Sequence, residues 1–318
     1  MEKLITGIHH ITAMASSAQR NLDFYSGILG LRFIKRTVNF DDPSVYHLYY
    51  GDELGSPGTV LTFFPYYGMP RGRKGYGMVN TISFSASIDA MPFWEKRLKK
   101  YHVDFNPPYE RFNTETVIDF EDPDGASLEL VFSANEDIRR GYEQGNIPGE
   151  FAIKGFYGAE IWDDGSHSTT ALLTSLMDHA LISEHGNRHR FAATDKPGHY
   201  IDIIDQTARQ RGQGGSGTVH HIAFSTPDKF TQVVIQEKIA DARFNISPVI
   251  NRDYFKSVYF RERSGVLFEI ATDGPGFTID EAPDQLGQSL KLPKMYEPQR
   301  AAIESSLEPL SLNQEIFI

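Results

Sequence analysis

The chain has 318 residues, no cysteine, 40% hydrophobic and 12% aromatic content, and a formal net charge of −11. Lack of cysteine excludes disulfide staples, thiolate zinc sites and thiolate-held iron–sulfur clusters, and the acidic balance argues against a phosphate-binding groove and nucleic-acid partners. No apolar run approaches the roughly 20 residues needed to span a bilayer, and Met1-Glu2-Lys3-Leu4-Ile5-Thr6-Gly7 carries no secretory apolar region, so a soluble cytoplasmic protein without membrane partners is expected.

At roughly 150 residues per domain, the length predicts about two domains. Four strand-like segments recur about 70 residues apart, each followed by a helical stretch. The first is Gly7-Ile8-His9-His10-Ile11-Thr12, with a short helix from about Ala18 to Leu29 that Gly30 ends. Next comes Asn80-Thr81-Ile82-Ser83-Phe84, with a helix capped by Ser87 or Asp89 and carrying Phe93, Trp94 and Leu98. Tyr157-Gly158-Ala159-Glu160-Ile161 is third; Ser168 or Thr169 opens its helix, and Leu172, Leu173, Leu176 and Leu181 lie on it. The fourth is Val219-His220-His221-Ile222-Ala223-Phe224. Thr226-Pro227-Asp228 then starts a helix whose apolar face is read as Phe230, Val233, Val234 and Ile239.

Three strand-like runs follow each helix, the last two joined by a turn bearing glycine. The stretches Asp119–Glu129 and Tyr259–Glu269 match without a gap: a phenylalanine, an acid before the turn, the turn glycine and a final glutamate coincide. The unit is therefore strand–helix–strand–strand–strand, used four times, which makes the fold class α+β. Two domains are expected, residues 1–150 with units one and two and residues 151–275 with units three and four. The proline-punctuated tail, 276–318, reads as a wrapping C-terminal arm, with a frayed tail as its alternative, and one short helix is expected in it from Gln299 to Leu307. The glycine-rich stretches 69–75 and 212–217 read as linkers, the first of them mobile, with a lid over a cavity as its alternative. His179, His185 and His189 read as part of a solvated loop.

Four βαβββ units resemble the vicinal oxygen chelate superfamily, with glyoxalase/bleomycin-resistance-like domains. The chain from about residue 5 to 275 is similar to its ring-cleaving (extradiol) dioxygenase branch, hydroquinone- and catechol-type group. Gly7–Thr12, His47-Leu48-Tyr49-Tyr50-Gly51-Asp52 and the run from Tyr254 to Asp273 carry the likeness. It implies that the first and last strands of a unit are neighbours whose side chains enter a cavity shared by two units.

On that frame, His10, Thr81, Gly158 and His221 occupy the first-strand position, and Thr62, Glu129, Asp202 and Glu269 the last-strand one. Joining units one and four collects His10, His221 and Glu269. That two-histidine, one-carboxylate set suits non-haem Fe(II), with Mn(II) or Zn(II) as other ions such donors accept. The other pairing gives poorer sets, His10 with Glu129 and His221 with Asp202 and Glu269. Strand alternation turns His9 and His220 to the opposite face. Counting outward from a three-residue turn at Arg263-Ser264-Gly265 puts Tyr259 across from Glu269, matching the tyrosine of the extradiol signature.

Asn251 stands where the resemblance leads one to expect a histidine, and an amide cannot shuttle a proton as imidazole does. His47 is the first candidate to replace it and His199 the second. The resulting expectation is an Fe(II)-dependent dioxygenase that opens a catechol or hydroquinone ring with molecular oxygen, in aromatic catabolism or detoxification. A glyoxalase-like metal-dependent isomerase and a metal-free resistance protein that sequesters a small molecule are the rival readings. Sequence leaves open whether the chain works alone or as a homo-oligomer.

Overall fold

A computed structural model describes residues 3–194, 198–206, 210–312 and 317. Unit one comprises β1 (Gly7–Ala15), α1 (Ala18–Leu22) running on as a π-helical segment to Ile28, β2 (Arg32–Asn39), β3 (Asp42–Gly51) and β4 (Val60–Pro65). Unit two has β5 (Val79–Ala86), α2 (Met91–Lys100), β6 (Tyr109–Arg111), β7 (Glu115–Glu121) and β8 (Ser127–Ser133). Unit three has β9 (Gly155–Asp163), α3 (Ser168–Leu176), β10 (Ala180–His185), β11 (Arg188–Ala192) and β12 (Tyr200–Asp205). Unit four has β13 (Val219–Thr226), α4 (Lys229–Asp241), β14 (Ile250–Asn251), β15 (Lys256–Arg261) and β16 (Leu267–Thr272).

In every unit the first strand lies parallel to the last. A parallel neighbour requires a crossover, and the helix with the two intervening strands supplies it. First strands then pair antiparallel between units, β1 with β13 and β5 with β9. Units one and four form one curled eight-stranded sheet, and units two and three form the other. Each half-barrel thus takes one unit from either side of residue 150. A continuous core ties both sheets to the helices through Leu22, Trp94, Leu98, Leu173, Ile235 and Ile239. Among the described residues, no helix is long and apolar enough to cross a membrane.

Three sequence expectations give way to tertiary packing. On α4, Phe230, Val233 and Val234 are exposed, while Gln232, Ile235 and Ile239 face inward. Asp228 caps the helix through the amides of Phe230 and Thr231. The inner face then carries Gln232, whose amide donates to the carbonyls of Lys256 and Ile270 at 2.7 and 2.8 Å. A polar residue that fastens helix to sheet disguised the true inner face. Leu181 and the histidines at 185 and 189 belong to the β10–β11 hairpin and not to a helix end or loop; His189 bridges Glu184 and Asp205.

The stretches 69–75 and 212–217 are not independent linkers, for their backbones pair with each other. Arg73 and Gln213 exchange both amide hydrogen bonds, Gly72 N donates to Ser216 O, and Ser216 N donates to Pro70 O. Glycine is required where the two chains meet: a Cβ on Gly75 would stand 2.2 Å from Gln210 O. Beyond unit four the chain returns across unit one. Phe277 packs on Tyr49 and Tyr254, Tyr296 donates to Phe40 O, and the Glu308 carboxylate accepts from Ser17 and Ala18 at the start of α1. Lys35, fully buried, is ion-paired with Asp280 and Glu281 of this arm. α5 (Arg300–Ser306) closes it.

Candidate metal centre

Register places the candidate ligands. Thr12 pairs with Thr62, Ser83 with Glu129, Glu160 with Asp202 and Ala223 with Glu269; two residues earlier on the same first strands stand His10, Thr81, Gly158 and His221. Because β1 and β13 are neighbours, His10 and His221 meet from opposite units. Their Nε2 atoms are 3.3 Å apart, and Glu269 Oε2 lies 3.3 Å from the first and 3.0 Å from the second. All three side chains are buried. Among the described residues, this is the group of His, Asp and Glu donors close enough to share one ion.

The donor chemistry fits a cation. Glu269 Oε1 accepts from Ser257 Oγ at 2.5 Å, but Oε2 is buried without a hydrogen-bond partner. Burial works to raise the Glu269 carboxyl, yet the imidazoles of His10 and His221 hold it well below the usual carboxylate range. A buried, ionised, unsatisfied oxygen facing two imidazole nitrogens costs free energy unless a positive charge joins them. Two imidazoles and one carboxylate on one side of an ion leave its other side open.

His9 and His220 are not turned away as strand alternation predicts. β-Bulges interrupt the β1–β13 register at both residues, and a bulge re-aims side chains. His9 Nδ1 lies 2.9 Å from His10 Nδ1, and His220 Nδ1 lies 2.8 Å from His221 Nδ1. Burial lowers the pKa of His9 and of His220 to about 3. Kept neutral, each can accept the Nδ1–H of its neighbour, which leaves that neighbour's Nε2 lone pair aimed at the centre. The doubled His-His dipeptide was the sequence signal for these supports.

A cavity of about 380 Å³ opens on this centre. Tyr259 lines it and pairs across the hairpin with Glu269, as the turn count predicts. Burial and the Glu269 charge push its phenol upward, so it remains a donor. His47 also lines the cavity; its Nδ1 lies 2.8 Å from Tyr49 Oη and its Nε2 2.9 Å from Thr62 Oγ1, which in turn is 2.7 Å from Thr12 Oγ1. Burial holds His47 well below the ordinary histidine value. His199 lies elsewhere: its Nδ1 accepts from Ile8 N, and its ring fills the space a Cβ would need on Gly7 or Gly58.

Asn251 is exposed on β14, where its side-chain oxygen accepts from Asp253 N. The next residue, Arg252, is the one that enters the cavity. Its Nε donates to Tyr259 Oη at 3.2 Å, and its guanidinium lies 3.7 Å from Asp41 Oδ2. Nothing in the sequence distinguishes this arginine from the others of the chain; only its contact with Tyr259 does.

At the corresponding place in the other half-barrel, arginines take up the carboxylates. Arg111 Nη1 binds both oxygens of Glu129, Arg190 Nε holds Asp202 Oδ1 at 2.7 Å, and Arg188 bridges Glu160 and Asp202. A Cβ on Gly158 would lie 2.5 Å from Tyr200 O, so no ligand side chain fits at that register position without moving backbone.

The chain is thus a protein of two curled half-barrels, one of which carries a two-histidine, one-carboxylate centre. It belongs to the Glyoxalase/Bleomycin resistance protein/Dioxygenase superfamily, whose family pattern matches residues 7–130. MhqO of Bacillus subtilis (strain 168), named as a candidate ring-cleaving dioxygenase, is 43% identical over 99% of both chains. Chlorohydroquinone/hydroquinone 1,2-dioxygenase of Sphingobium indicum is 31% identical, over 92% of this chain and 93% of that one. A crystal structure of a candidate dioxygenase from B. subtilis superimposes with a TM-score of 0.93 at 43% identity, covering 98% of this chain and 99% of that one.

Proposed function

We propose that this chain is an Fe(II)-dependent, extradiol-type dioxygenase that opens the ring of a hydroquinone or catechol. His10, His221 and Glu269 would hold the ion. The observation that carries this reading is the orphaned Glu269 Oε2, buried beside the Nε2 atoms of two histidines that line an aromatic-walled cavity. Likeness to a hydroquinone dioxygenase over nearly the whole chain favours the para-diol.

When bound, Fe(II) supplies a site at which a diol oxygen and dioxygen can exchange electrons. The remaining work belongs to the protein. Tyr259, its oxygen already accepting from Arg252, keeps its own proton to donate to a substrate oxygen. The Arg252 guanidinium favours the ionised form of the diol, and neutral His47, both of its ring nitrogens held by Tyr49 and Thr62, would receive the diol's proton through one of those hydroxyls. Phe64, Tyr66 and Phe255 line the same cavity and exclude water.

The test is oxygen consumption by protein reconstituted anaerobically with Fe(II). Uptake with hydroquinones or catechols, in step with diol loss and ring-opened product, is expected. Full iron occupancy with no uptake on any ring diol would overturn the assignment.

A further inference from the structure

The cavity over the metal centre adjoins a second chamber of about 310 Å³. Met14, His220, His221 and Leu267 line both. The outer wall of the second chamber is the pair of zipped segments that follow units one and three, with Gly212, Gly214 and Gly215 facing it. These glycines keep the wall thin: a Cβ on Gly212 would stand 2.5 Å from the Met78 side chain, and around Gly214 there is open space.

Its lining differs in character from the metal cavity. Met69 and Met78 give an adaptable apolar surface, and Arg211 and Arg261 stand among them. Arg261 Nη1 donates to Gly265 O at 2.9 Å, and the Arg211 guanidinium lies over Gly265, where a Cβ would be 2.3 Å from its Nη2. Arg73, outside the lining, donates to Arg211 O. None of the three pairs with a carboxylate among the described residues, in a chain of net charge −11. The arginines of the other half-barrel are held by acids, as Arg188 and Arg190 are.

We propose that this second chamber binds the carboxylate of the ring-opened product, an unsaturated acyclic acid. The inference rests on the ring-cleavage reading above. In that reaction a ring carbon–carbon bond and the oxygen–oxygen bond break, and two carbon–oxygen bonds form. Dioxygen takes four electrons from the ring, leaving one cleaved carbon as an aldehyde and the other as a carboxylic acid. The acid loses its proton to solvent, so a diol enters and an anion leaves. An anion in this acidic chain is drawn to unpaired guanidinium groups, and those adjoining the metal cavity are Arg211 and Arg261.

The probe is cis,cis-muconate, a stable unsaturated six-carbon diacid, titrated calorimetrically into chelator-treated protein at low salt. Wild type and R263Q, altered on the same hairpin outside the chamber, should bind alike, and R211Q/R261Q at least tenfold more weakly. With Fe(II) restored, muconate should inhibit diol-dependent oxygen uptake noncompetitively with respect to the diol. Equal affinity in R211Q/R261Q, or purely competitive inhibition, overturns the second chamber and leaves ring cleavage standing. Arginine-dependent muconate binding by a protein that consumes no oxygen with any ring diol removes the product assignment together with the proposed reaction, while the anion site itself persists.

Discussion

Glu269→Gln separates the cost of the empty centre from the benefit of filling it. In the metal-free protein the substitution removes a buried charge and gives the orphaned position an N–H that can reach His10 or His221, 3.3 and 3.0 Å away. The loss of an unsatisfied buried acceptor is worth roughly 1–3 kcal/mol and offsets the lost attraction between the Glu269 charge and the two imidazoles, so the metal-free variant should lie within about 2 kcal/mol of metal-free wild type. Metal sets the two apart. Binding at about 100 times the dissociation constant stabilises wild type by about 2.7 kcal/mol. For 318 residues, an unfolding entropy of about 2.1 cal/mol/K per residue gives about 0.7 kcal/mol/K, hence a rise of about 4 °C. The variant, lacking the anionic donor, should rise by less than about 1 °C. Anaerobic scanning calorimetry with chelator and with Fe(II) measures all four states. Equal metal-induced shifts in the two proteins would refute the shared ion.

Tyr259→Phe should lower kcat about 10- to 100-fold through loss of a hydrogen bond worth roughly 1.5–3 kcal/mol; iron content should be unchanged, and an unaltered kcat would remove the phenol from the mechanism. Lys35→Met leaves the Glu281 carboxylate buried without its ammonium, and urea denaturation should show a loss of roughly 3–5 kcal/mol, with less than about 1 kcal/mol contradicting the arm's role. Burial lowers His179 from 6.5 to about 4, so below pH 6.5 the unfolded chain takes up a proton that the folded one refuses. Its contribution is therefore complete above that pH and falls by about 1.4 kcal/mol per unit on acidification. His179→Gln should flatten that slope in urea titrations between neutral pH and pH 4.5, and an unchanged slope counts against it. Metal analysis of loaded protein should give about one ion per chain, since arginines fill the second half-barrel; two would show that they yield.

Much of the site could be read before folding because repetition supplied a ruler. Matching Asp119–Glu129 to Tyr259–Glu269 fixed the last-strand position, and both hairpins pair as counted, Asp119 with Glu129 and Tyr259 with Glu269. Helix faces were less legible. The adjacent apolar residues Val233, Val234 and Ile235 allow more than one inner face, and Gln232 was inward for a reason that lies on β15 and β16.

Local sequence alone determined the strand–helix–strand–strand–strand unit and its fourfold use, because strand patterning and turn glycines are properties of a few consecutive residues. Tertiary structure decided the rest. Pairing of β1 with β13 brought two histidines to one point, and bulges at His9 and His220 turned their rings towards those two histidines. The same folding placed Arg252 against Tyr259, and set arginines on the carboxylates of the other half-barrel. Those outcomes depend on which strands become neighbours, and that choice is made by burial summed over the entire chain, which no short segment encodes.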